Sequence, residues 1–156
     1  MQLDRFDKQI LEMLTHQDLN LNELSERVNL SVSSVHRRIK QLIDHNIMTQ
    51  LKRDLNYEKL GFSLHVLLQV SLSKHDSDTF AKFLEALKDI PEVIHAFLVT
   101  GQSADFIVEM VAKDMQSYSE VLLQRIGKIE HVVALHSSFV IKEYDVFDCH
   151  SLLSKA

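Results

Sequence analysis

The chain has 156 residues, 46% of them apolar, and a formal charge of −5, which suits one domain or two small ones with a real core. No stretch approaches the ~20 apolar residues that a membrane span requires, and the first residues lack the basic, apolar, small order of a secretory leader. The single cysteine, Cys149, excludes an internal disulfide framework and fits a reducing cytoplasm.

Leu3 to His16 reads as an amphipathic helix with Asp4 at its N-cap and Leu3, Phe6, Ile10, Leu11 and Leu14 on the core side. Asn20 opens a second helix, and Glu23 three residues on completes a capping box. Leu24 and Val28 stack at i, i+4. Asn29 falls where the chain must turn, and asparagine tolerates the left-handed conformation. Ser31 caps a third helix whose Val35, Ile39, Leu42 and Ile43 form one stripe. Its other face carries Ser33, Ser34, His36, Arg37, Lys40 and Gln41, with Arg38 on the flank. Arginine pairs with guanine in two places, serine and glutamine reach base edges or phosphates, and a helix N-terminus favours phosphate. Ser31, Ser33, Ser34, His36, Arg37, Arg38 and Lys40 are therefore candidate contacts to double-stranded DNA. An ordinary helix hairpin with a solvated charged face has the same pattern, and His36 fits either role. Met48 to Asn56 has the length of a small β-hairpin, with Lys52, Arg53 and Asp54 near its tip; such a wing would touch the DNA backbone. Residues 1–60 are expected to form a winged helix-turn-helix domain.

The acidity is uneven. Residues 1–60 hold nine basic and nine acidic side chains, whereas residues 61–156 hold eight and thirteen. Between residues 31 and 53 the five cations Arg37, Arg38, Lys40, Lys52 and Arg53 face Asp44 alone. A local basic patch can anchor phosphates while the acidic remainder discourages indiscriminate binding.

Asn56 to Leu60 reads as one helical turn, and Gly61 releases the chain into a second domain over residues 61–156. Leu64, Val66, Leu68, Val70 and Leu72 share one face of a long strand. Phe80, Phe83, Leu84, Leu87 and Ile90 mark a helix that Pro91 ends. Val93 to Thr100 and Phe106 to Ala112 are strands joined across Gly101 to Asp105. Asp114 caps a helix carrying Met115, Tyr118, Val121, Leu122, Ile126 and Ile129, and Val132 to Ile141 is the fourth strand. The order βαββαβ is the ferredoxin-like arrangement, so the fold class is α+β with both helices of this domain on one sheet face. The open face bears Leu67, and the second strand is apolar on both sides. Such a face usually meets another subunit.

These stretches together resemble the leucine-responsive/AsnC, or feast/famine, family of transcription regulators. The resemblance is carried by Leu3 to Leu11, Glu23 to Val28, Asn56 to Gly61, Val99-Thr100-Gly101 through Asp105-Phe106, Asp114-Met115 through Tyr118, and Ser138 to Glu143. It implies a DNA-binding dimer whose second domain senses a small molecule, usually an amino acid, and which assembles further, often into octameric discs. It also directs attention to the loop between the second and third strands. Gly101 lets that loop turn tightly, Gln102 and Ser103 offer hydrogen bonds, and Asp105 offers a charge for an amino-acid ammonium; capping the loop is its bland alternative. Phe106 closes the run, and Ser137 aligns with a family position near the effector, against a simpler and favoured reading as an ordinary strand residue. Two departures stand out. Family members commonly have Gly-x-x-Asp-Tyr, whereas Gly101 to Phe106 is one residue longer and has Phe for Tyr. The third helix also lacks the proline that many members carry near its start.

The nine histidines show no His-x-x-x-His pair, so no metal or cofactor is expected. Asp145, Asp148, Cys149 and His150 cluster near the C-terminus and could bind zinc or sense oxidation, against a simpler reading as a polar tail. An enzyme on the ferredoxin-like sheet is the competing class, but no nucleophile elbow, phosphate loop or catalytic Cys/His spacing is present. A third reading makes the helix-turn-helix a protein-interaction element.

Overall fold

The computed structural model describes residues 2–16, 19–48, 55–101, 103–144 and 146–155. They divide into two compact units, one from residues 1–53 and 144–156 and the other from residues 54–143.

The first unit holds α1 (Arg5–His16), α2 (Leu21–Val28), α3 (Val32–Asp44) and a short α6 (Cys149–Leu153). α1 starts in a reciprocal box of aspartates. The Asp4 carboxylate accepts the N–H groups of Phe6 and Asp7 at 2.8 and 2.9 Å, and Asp7 accepts the Asp4 N–H at 3.0 Å. Ile10, Leu11, Leu24, Val28, Val35 and Leu42 form the buried core, with Leu3, Leu14 and Ile39 packed against it. Those residues recur at helical spacing, which is why three short helices suffice: each buries one stripe on the other two. The expected wing falls largely on residues 49–54, including Lys52 and Arg53, and lies outside the described residues.

The C-terminal end differs from the expected division at residue 60 and from a polar tail. Asp148 caps α6 by accepting the Ser151 N–H at 3.1 Å. Cys149 is buried, Leu153 packs on the helical core, and the Leu153 carbonyl accepts from Lys8 Nζ of α1 at 2.8 Å. The physical reason is the spacing of Cys149 and Leu153, four residues apart on one helical face.

In the second unit Asn56 caps one turn, accepting the Lys59 N–H at 2.9 Å, and Gly61 leaves it at φ 90°. The elements that follow are β1 (Leu64–Leu72), α4 (Ser77–Lys88), β2 (Val93–Leu98), β3 (Phe106–Ala112), α5 (Met115–Gln124) and β4 (Val132–Phe139). The sheet order is β2-β3-β1-β4 with antiparallel pairs throughout, the expected ferredoxin-like topology. Val66, Leu68, Val70, Phe106, Val108 and Met110 point to the helices and meet Phe83, Leu87, Tyr118 and Val121. α5 stops before Ile126, and residues Ile126–Lys128 form a 3-10 turn around Gly127, a residue that weakens helices. On the open face Leu67 and Phe97 are exposed, and Ile107 is half-buried.

Phe106 is 1% exposed and packs against the rings of Phe80 and Phe83 at 5.3 and 4.9 Å between centroids. Phe106→Ala should therefore cost about 3–5 kcal/mol of stability in urea denaturation followed by circular dichroism.

Candidate nucleic-acid interface and effector loop

The candidate DNA-contact surface is built by three caps. Asn20 accepts the N–H groups of Asn22 and Glu23, each at 3.0 Å, while its own N–H reaches Glu23 Oε2 at 3.0 Å. Asn29 adopts the left-handed conformation at φ 54°, ψ 47°, and ends α2. The Leu30 N–H then returns to the Ser25 carbonyl at 3.1 Å, which closes the turn. Ser31 Oγ accepts the Ser34 N–H at 3.3 Å and bonds the Ser33 and Ser34 hydroxyls. α3 buries Val35 and Leu42 completely. Ser33, His36, Arg37, Lys40 and Gln41 are exposed together on the opposite side, and Ser34 is half-buried.

Arg38 departs from the expected DNA contact. Its Nη1 lies 2.6 Å from Asp7 Oδ1 and 2.8 Å from Asp4 Oδ2, and its guanidinium stands 5.4 Å from the Phe6 ring centroid. Asp7 is 2% exposed. An ionised carboxylate so placed requires a cation, and Arg38 supplies it. The signal was present in the spacing. Val35, Arg38 and Leu42 recur at i, i+3, i+7, and Asp7 precedes Ile10, Leu11 and Leu14 by three, four and seven residues, so Arg38 falls within one apolar stripe and Asp7 heads another. The Asp7 N–H, with help from Arg38, holds the Asp4 carboxyl below the ordinary aspartate range.

In the loop after β2, Gly101 sits at φ 81°, which only glycine adopts freely. The Asp105 N–H donates to the Val70 carbonyl at 2.9 Å, and its Oδ2 accepts the Leu72 N–H at 2.7 Å. Oδ1 lies 3.1 Å from His75 Nε2. Ser71 Oγ donates to the Ser103 carbonyl at 2.9 Å. Gly101, Ser103 and Asp105 thus belong to one loop tied to the end of β1, while Gln102 lies outside the described residues. Phe106 does not join them: its ring points to the helices and belongs to the core. Ser137 also stands apart on the helix side of β4, paired with Leu68 and hydrogen-bonded to the Tyr118 hydroxyl.

Two features escaped the sequence reading. Glu109 on the open sheet face meets His65 Nε2 at 2.7 Å and His95 Nδ1 at 2.8 Å. Partial burial raises its carboxyl pKa, and the His95 and His65 bonds more than offset that, leaving it below the usual glutamate range. The other is a cleft of about 520 Å³ bounded by residues 55–58, Phe62 and Ser63, and residues 140–143, which none of the expected effector residues lines. Among the described residues no three His, Cys, Asp or Glu side chains are grouped to hold a metal ion. No helix there is long and apolar enough to cross a membrane.

A helix-turn-helix with a basic exposed face, carried on one chain with a ferredoxin-like unit, defines a DNA-binding transcription regulator. Residues 3–47 match a winged helix-turn-helix DNA-binding region, and residues 65–146 match the Lrp/AsnC ligand binding domain. The chain belongs to the Lrp/AsnC family of transcription regulators. It is 32% identical to the Bkd operon transcriptional regulator of Pseudomonas aeruginosa, over 90% of this chain and 92% of that protein. The leucine-responsive regulatory protein of Rhizobium meliloti is 30% identical over 91% of each. A transcriptional regulator of Neisseria meningitidis, solved as a complex with L-Met, superposes with a TM-score of 0.84 at 33% identity, covering 97% of this chain and 99% of that one.

The ion pair yields a two-part expectation. Arg38→Ala should cost about 1–3 kcal/mol in denaturant unfolding, because the Asp7 carboxylate is left unmatched, with DNA affinity per folded molecule unchanged. Asp4 has a lowered folded pKa, so its contribution is complete above the unfolded aspartate value of ~3.9 and disappears as pH falls through the folded value. Asp4→Asn should accordingly flatten the acid limb of a stability curve measured below about pH 4.

Proposed function

We propose that the chain reads its operator with Ser33, His36, Arg37 and Lys40 of α3 in the major groove, with Ser31 and Ser34 at the helix start beside a phosphate. The observation that carries this reading is the shared exposure of those side chains opposite the buried Val35 and Leu42. Arg38 takes no part in base contact, because Asp4 and Asp7 hold it. Lys52 and Arg53 neutralise the DNA backbone. The effector is an amino acid bound at the Gly101–Asp105 loop, its ammonium on Asp105. The L-Met complex of the Neisseria relative supports this class of ligand for the present chain. The protein acts as a dimer that assembles further. Its exposed Leu67 and Phe97 on the uncovered sheet face support that state, as does the requirement for two half-sites in register.

Fluorescence anisotropy with the DNA upstream of the protein's own gene tests this reading. Arg37→Ala should weaken operator binding by about 1–3 kcal/mol if the side chain pairs with a guanine. Lys52→Ala or Arg53→Ala should weaken all sequences alike and flatten the dependence on salt. Unchanged operator affinity in an Arg37→Ala/Lys40→Ala double variant would sink the assignment.

A further inference from the structure

The fold uses the two oxygens of Asp105 differently. Oδ2 receives the Leu72 N–H at 2.7 Å, a bond that holds the loop to the end of β1. Oδ1 lies 3.1 Å from His75 Nε2, in a pair whose aspartate side chain is 16% exposed and whose imidazole is 65% exposed. An arriving cation therefore meets Asp105 at Oδ1, where His75 already stands. The backbone around His75 is held on both sides. The Ser73 N–H donates to the His131 carbonyl at 2.8 Å, and Asp76 caps α4 by accepting the Thr79 N–H at 2.8 Å. The imidazole is 65% exposed, so a side-chain rotation toward solvent would take it off Oδ1 without moving that backbone.

We propose that His75 gates the ammonium seat on Asp105, yielding to a ligand ammonium when neutral and competing with it when charged. The proposal rests on the reading that an amino acid binds at Asp105. Histidine changes charge between about pH 5 and 8, where an amino-acid ammonium does not, so acid should weaken effector binding. Among the described residues Asp105 is the charged group that meets the imidazole; Lys74 and Asp76 flank His75 in the chain, and His131 with Glu130 stand before β4 against the neighbouring Ser73. His131 approaches through Ser73 Oγ at 3.2 Å and pairs with Glu130 at 3.3 Å. From α4, Phe80 presents a ring edge, its centroid 6.5 Å from that of His75.

Calorimetric titration of the full chain with the twenty common amino acids, L-methionine first, between about pH 5.5 and 8 tests the gate. The wild type should bind its effector more tightly as pH rises. His75→Ala should bind about two- to fivefold more tightly at the acid end, the factor by which an exposed ion pair competes, and its pH dependence should flatten. His75→Gln, which keeps a hydrogen-bond donor but does not titrate, should flatten the profile as well, separating His75 from His131. Asp105→Asn retains an acceptor for the Leu72 N–H and should bind no effector. If Asp105→Asn loses binding while both His75 variants match the wild type at every pH, the gate is overturned and the site stands. If Asp105→Asn binds normally, or no amino acid binds the wild type, the site and the gate both fall.

Discussion

A carboxylate at the head of a buried helical stripe must find a cation, and Asp7 finds Arg38 where α1 meets α3. The pair lies on the side of α3 that Val35 and Leu42 bury. With Val35, Arg38 and Leu42 turned inward, Ser33, His36, Arg37, Lys40 and Gln41 are left outward as a group. Removing water from two charges offsets most of their attraction, so the pair adds little net stability while the loss of one partner is costly. The Asp4–Asp7 box places the first turn of α1, and the cation at its far side places α3.

The same economy runs through the rest of the chain. Three glycines and one proline are too few to make the turns, and short polar side chains make them instead. Asn20, Ser31, Asp76, Asp114 and Asp148 each accept a backbone N–H at a helix start, and Asn29 turns the chain between α2 and α3. Asp105 extends this habit to the sheet, where its carboxylate serves the Leu72 N–H. The other oxygen of that carboxylate faces the His75 imidazole, so both are engaged within the fold. On the open sheet face Glu109 bridges two histidines among apolar neighbours. That face is thus neither a simple apolar patch nor a solvated one.

Much of the architecture was legible in the chain. The stripes of α1 to α3, the capping box at Asn20, the left-handed Asn29 and the alternation in β1 each depend on local spacing, which a sequence displays directly. The βαββαβ order followed from the same periods and sets the fold class. The shared exposure of Ser33, His36, Arg37, Lys40 and Gln41 on one side of α3 likewise follows from helical spacing.

What the sequence by itself determined is therefore what neighbours in the chain decide: element type, caps, and which face of each helix is apolar. The tertiary structure decided which distant groups meet. It turned Arg38 from a candidate base contact into the partner of Asp7, sent Phe106 into the core and moved Ser137 to Tyr118. It also brought His75 to Asp105, buried Cys149 and folded Leu153 onto the helical core. A charge or ring at a given position has the same local pattern whether it faces water or a buried partner 31 residues away, as Arg38 and Asp7 are. Packing chooses between the two, because an unmatched buried charge costs far more than a solvated one.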